Sequence, residues 1–181
     1  MKLYKLTDSE GKTHQDTQWG EKKTYIAKKL EQPKLCTGTV IHAYRDKNLA
    51  FLLNPIHANY TNPILWEAEG EIIVEDWDKV GCSKLTTIKK LSNPLWTDGE
   101  DRMKVRAKFA ILCAEAVLHL YEKNYPNDKR VRQAIQAAKN YLLAPTKAAG
   151  AAGAAAWAAG ATAGKIDFIF LASQAVKGGK E

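Results

Sequence analysis

Patterns that usually reveal chemistry are scarce in this chain. It has three cysteines, Cys36, Cys82 and Cys113, odd in number and widely spaced. They form neither a CxxC pair nor a His-Cys cluster with zinc spacing, so they read as reduced thiols and no metal ligands are expected. There is no glycine-rich phosphate loop, and no catalytic motif names a reaction. Lys165 and Asp167 interrupt the most apolar region before the roughly 20 residues that a membrane helix needs can accumulate. The start, MKLYKL, enters a strand-like alternation at once, with no hydrophobic signal region. These absences lead us to expect a cytoplasmic protein with no membrane contact and no cofactor.

Charge is present but uneven. Residues 1 to 100 hold 14 Lys and Arg against 14 Asp and Glu, while residues 101 to 181 hold 13 against 6. The whole formal excess of +7 therefore lies in the second half. Such an excess suits a polyanion, an acidic protein or a phosphorylated small molecule.

The most unusual stretch is Ala148 to Gly164, AAGAAGAAAWAAGATAG. Alanine favours a helix and glycine opposes it, so their mixture makes sense where the glycines answer a packing demand. Gly150, Gly153, Trp157, Gly160 and Gly164 step by 3, 4, 3 and 4, the period of one helix face. The expectation is a close-packed helix with a nearly flat stripe, which also makes a homo-oligomer the expected assembly.

From the N-terminus, Lys2 to Leu6 reads as a strand and TDSEG as a turn. Trp19 sits beside Gly20 in a polar loop, as a core plug or a ligand platform. TVIHAY reads as a strand placing His42 and Tyr44 on one face; LAFLL, Leu49 to Leu53, is a short helix or another strand. Asn54-Pro55 and Asn62-Pro63 are expected to bracket a loop holding His57 and Tyr60. From Leu65 to Asp76 a strand should turn Leu65, Glu67, Glu69 and Glu71 one way and Trp66, Ala68, Gly70 and Ile72 the other. Cys82 to Leu91 is its expected hairpin partner.

After Pro94 the period changes. Thr97 and Glu100 have capping-box spacing and open a long helix, with Val105, Phe109, Leu112, Cys113, Ala116 and Leu120 on its apolar face and Arg102, Lys104, Arg106 and Lys108 beside it. Pro126 ends that helix, and a second runs from Asp128 to the break at Pro145. The last segment, Ile166 to Val176, is apolar on more than one face and is expected to be buried. The expected fold class is α+β: a small mixed or antiparallel sheet module at 1–96, then an antiparallel helical bundle at 97–181.

Two resemblances follow from particular residues. Leu35 to Leu91, with Val40-Ile41-His42-Ala43-Tyr44, Leu65-Trp66-Glu67-Ala68-Glu69-Gly70-Glu71 and Lys84-Leu85-Thr86-Thr87-Ile88, resembles an uncharacterised domain frequent in bacteriophage and prophage accessory proteins. Phe109 to Val176, with Cys113-Ala114-Glu115, Tyr125-Pro126-Asn127-Asp128-Lys129-Arg130 and Ala134-Ile135-Gln136-Ala137-Ala138, resembles the helical domain of immunity proteins of bacterial toxin systems. Together they imply a phage accessory protein that counters host defences in the host cytoplasm.

Four chemistries compete for this equipment. In the first, Trp19, Tyr44 and Trp66 stack on a base, His42 and Glu69 add polar contacts, and Arg102 and Arg106 pair with phosphate. A protein so equipped would sequester a nucleotide second messenger as a sponge, without catalysis. In the second, the helical surface inhibits a host defence or toxin protein directly. In the third, His42, Tyr44 and a strand glutamate resemble the His-Tyr-Glu arrangement of ADP-ribosyltransferase-like enzymes that hold a nicotinamide dinucleotide. In the fourth, the basic helices meet nucleic acid, though no recognition or stacking motif accompanies them. Non-enzymatic nucleotide sequestration is set first and protein inhibition second.

Overall fold

The computed structural model describes residues 1–28, 32–143 and 166–177. The helix expected at Ala148 to Gly164, with its glycine stripe, lies outside the described residues. The fold is α+β, antiparallel strands followed by helices. The chain divides into two compact units, Met1–Pro94 and Leu95–Glu181.

The first unit is built on a long hairpin of β6 (Ile64–Glu75) and β7 (Val80–Leu91). Strand β1 (Lys2–Thr7) pairs antiparallel with the first half of β6. On the other side of the hairpin, β4 (Thr24–Ile26) and β5 (Ile41–Ala43) pair with successive parts of β7. The end of β5 then returns to β1, where Tyr4 and Tyr44 exchange two backbone hydrogen bonds of 2.8 Å. The sheet thus curls and closes on itself. Register shifts at Glu67/Ala68 and around Ile72 supply the bend. Where the strands curl most, a side chain has no room: a Cβ at Gly70 would stand 2.6 Å from the Lys84 carbonyl oxygen.

Inside the curl Leu3, Ala43, Ala68, Val80, Cys82 and Leu85 pack with Trp19 into one cluster. Period-2 alternation puts Lys5 on the same face as Leu3. A small hairpin of β2 (Lys12–Thr13) and β3 (Thr17–Gln18), joined by the 3-10 turn His14–Asp16, carries Trp19 to that cluster, and Gly11, at φ 83°, closes the turn that leads from β1 into it.

LAFLL resolves to helix. Helix α1 (Lys47–His57) starts at Asp46, whose carboxylate accepts from the Leu49 N–H at 2.8 Å, and it buries Leu49 to Asn54 without a break. Pro55 does not open a loop as expected; it lies inside the helix two residues from its C-terminal end, where it gives up a single backbone N–H bond. His57 is therefore helical, and the loop begins at Ala58. Asn54 holds that loop by bonding both backbone groups of Tyr60. The alternation of β6 holds from Trp66 onward, with Glu69 and Glu71 exposed, but Leu65 is fully buried. Leu6 across the strand pair is buried too, so this end of the sheet is covered on both faces.

The second unit is organised on α2 (Gly99–Asn124). The helix begins one residue later than the Thr97 cap expected for it. Thr97 lies in a short 3-10 turn, Asp98 takes the N-cap position without a side-chain cap bond, and Gly99 turns through φ 63°. Two faces of α2 are buried instead of one. Ile111 and Ala114 meet Ile135 and Ala138 of α3 (Arg130–Leu143). The Phe109 ring meets Phe168 of α4 (Phe168–Val176) edge-on at 6.3 Å. Ala116 and Leu120, expected in the core, are exposed, since the two partners leave that side uncovered among the described residues. Helix α4 buries only Phe168, Ala172 and Ala175, while Ile169 and Phe170 face outward.

Candidate functional site

Each aromatic side chain proposed to hold a base is spent on the fold. Trp19 is 3% exposed and its indole N–H donates to the Thr13 hydroxyl at 3.0 Å. Trp66 is 6% exposed, and its indole N–H donates to Thr7 Oγ1. Tyr44 is 8% exposed, with its hydroxyl 2.9 Å from His57 Nδ1. Rings enclosed and hydrogen-bonded in this way are placed as core side chains, which counts against the ligand platform expected of them.

The strand residues fare similarly. His42 is half-buried; its Nε2 accepts the Cys36 backbone N–H at 2.9 Å. Burial, with Lys5 and Lys79 nearby, pulls its pKa down to about 4, so at neutral pH it is an uncharged acceptor. Glu69 stands on the exposed side of β6 and shares no hydrogen bond with His42 or Tyr44 among the described residues.

Sequence reasoning missed the polar cluster that does form beneath these residues. His57, delivered by the end of α1, bridges Tyr44 through Nδ1 and Asp78 through Nε2 at 2.9 Å. Asp78 also accepts from Lys79 Nζ at 2.8 Å. Burial opposes the Asp78 charge, but bonds to His57, Asp76 and Lys79 outweigh it and hold the carboxyl well below its usual range. Burial pushes the Tyr44 hydroxyl far up. The chain Lys79–Asp78–His57–Tyr44 anchors helix α1 and the β6–β7 turn to β5 within the first unit. Lys5 completes the buried polar set: its ammonium donates to the His42 carbonyl at 2.7 Å and lies 5.2 Å from the Trp19 ring. Burial lowers its pKa to about 8. The signals were in the sequence, a lysine at a core position of β1 and an Asp-Lys pair in a turn, but only the sheet closure brings them to one place.

In the second unit, Arg102 is exposed and Arg106 half-buried, one helical turn apart on α2. The Arg106 Nε is enclosed and has no hydrogen-bond partner. Burial, then the neighbouring charge of Arg102, disfavours the Arg106 cation. Lys108, in contrast, is committed to the Lys177 carbonyl at 2.9 Å.

Two grooves of about 320 Å³ open on the surface, one beside Ile26, Ile73 and Lys84 in the first unit, the other beside Leu120, Ile166 and Phe170 in the second. Neither is lined by Trp19, His42, Tyr44, Trp66, Glu69, Arg102 or Arg106. Among the described residues no group of three His, Cys, Asp or Glu side chains is placed to hold a metal ion, and no helix is long and apolar enough to cross a membrane.

Comparison with known proteins assigns a likeness to the helical unit. No curated protein and no solved structure matches the chain. Leu35 to Leu91, read above as phage-accessory-like, lies outside what does match. Residues 98–167, which take in α2 and α3, match the family described as Imm-5 like putative immunity protein.

Proposed function

We propose that this protein is an immunity-type inhibitor that binds a protein toxin through its helical unit and neutralises it without catalysing a reaction. The observation that carries this reading is the family match over residues 98–167. The basic character of that region suits it, since 13 Lys and Arg against 6 Asp and Glu after residue 100 favour encounter with an acidic protein surface. Carried by a phage, the same activity would act in the host cytoplasm against a defence toxin. Nucleotide sequestration, set first on sequence grounds, takes second place because Trp19, Tyr44 and Trp66 are enclosed.

Growth tests the reading directly. Toxin domains from the genome that carries this gene would be expressed one at a time in a bacterial host, with and without this protein. Rescue from one toxin, together with a complex of the two on gel filtration, is the expected result. No rescue from any toxin, with a nucleotide released in stoichiometric amount from the purified protein, would overturn it.

A further inference from the structure

The chain has five arginines. Three are ion-paired: Arg45 with Glu75, Arg130 with Asp128 and Arg132 with Glu122. The other two, Arg102 and Arg106, hold no carboxylate among the described residues, and they are neighbours at i and i+4 on α2. Asp98 and Asp101, the nearest described carboxylates in sequence, bond neither of them. Like charges one turn apart repel, and an enclosed guanidinium N–H without an acceptor is costly. A carboxylate laid across the outer N–H groups of both guanidiniums relieves the repulsion, because their planar forks match its two oxygens.

We infer that Arg102 and Arg106 form a carboxylate-recognition site on which an acidic patch of a protein partner docks, an inference that rests on the immunity-type reading above. A carboxylate is preferred to the phosphate of a nucleotide because the rings that would have held a base, Trp19, Tyr44 and Trp66, are closed into the core. The basic excess of this half of the chain draws an acidic surface toward α2, and the arginine pair then fixes where it seats.

The probe is a tetraglutamate peptide titrated into the full chain while the arginine Nε–Hε signals are followed by NMR. The expected result is a saturable shift of the Arg102 and Arg106 signals with those of Arg130 and Arg132 unmoved. The charge-conserving double variant R102K/R106K should bind the peptide about fivefold or more weakly at an unchanged melting temperature, since lysine keeps the charge and loses the fork. No shift, an equal shift of all five arginines, or tighter binding of inorganic phosphate by the pair would overturn the site.

The growth assay separates this inference from the reading it rests on. R102E/R106E should abolish rescue from the cognate toxin, whereas Lys123→Glu, a charge reversal at an exposed position near the other end of α2, should not. Full rescue by R102E/R106E would overturn the arginine site and leave the immunity reading standing. Failure of the unmodified protein against every toxin would overturn the immunity reading, and the peptide titration would still decide whether the site exists.

Discussion

At the scale of single residues, the buried lysine is the most exposed to test. Lys5 has a folded pKa of about 8 against 10.5 when free, so burying its charge costs about 3 kcal/mol at neutral pH. The unfolded chain binds the extra proton between those two values, so this cost is relieved as pH rises from about 8 to 10.5. Lys5→Met should therefore stabilise the protein at pH 7, by about 1–2 kcal/mol after the lost bond to the His42 carbonyl is deducted. The gain, read as the difference in urea midpoint between variant and parent, should shrink by pH 10. A constant difference would refute the assignment. His42 works in the opposite window. Its folded pKa near 4 lies below the free value of 6.5, so the unfolded state takes up the proton first and stability falls as pH drops from 6.5 toward 4. His42→Gln should flatten that fall in a pH series of melting temperatures. Trp66→Ala should cost about 3–5 kcal/mol, the penalty of an emptied core site, as measured by denaturant unfolding.

Between elements, the bend of the hairpin and the two faces of α2 decide the packing. Gly70→Ala would press a methyl against the Lys84 carbonyl, a backbone atom that cannot swing aside. A loss of about 2 kcal/mol or more is expected in chemical denaturation. Gly81→Ala meets only Val40 and Val74 side chains at 2.8 Å, which can shift, and should cost less. An equal cost would mean that the curl is looser than its register suggests. On the helical side, Ile135→Ala removes the centre of the contact between α3 and α2 and should cost about 2–5 kcal/mol. The helices and the hairpin were legible from period and proline placement. The second buried face of α2 was not: the sequence pattern announces an apolar stripe but not how many neighbours will share it.

For the whole molecule, charge is the property that reaches beyond the fold. If the helical unit captures an acidic toxin, raising salt from about 50 to 300 mM should slow association by roughly tenfold and change dissociation much less, because screening acts on the encounter. Stopped-flow kinetics with the rescued toxin would read both rates. A salt-independent association rate would place the contact on apolar surface, where Leu120, Ile169 and Phe170 are exposed.

Local pattern was enough to place β1, β5, the antiparallel hairpin of β6 and β7, the exposed glutamates Glu69 and Glu71 and the ending of α2 near Pro126, because each depends on neighbours two to four residues away; it left α1 open between helix and strand and did not show β2, β3 or β4. It was not enough to settle what the conspicuous side chains do. Tryptophan, tyrosine and histidine serve equally well in a core or at a ligand, and the choice depends on what covers them. Closure of β5 onto β1 enclosed Trp19, Tyr44 and Trp66 and drew His57, Asp78 and Lys5 under them. The same dependence on other elements left Arg102 and Arg106 without carboxylates among the described residues while Arg132 of α3 found Glu122 of α2. Burial and pairing are relations between residues far apart in the chain, so the tertiary structure alone decided them.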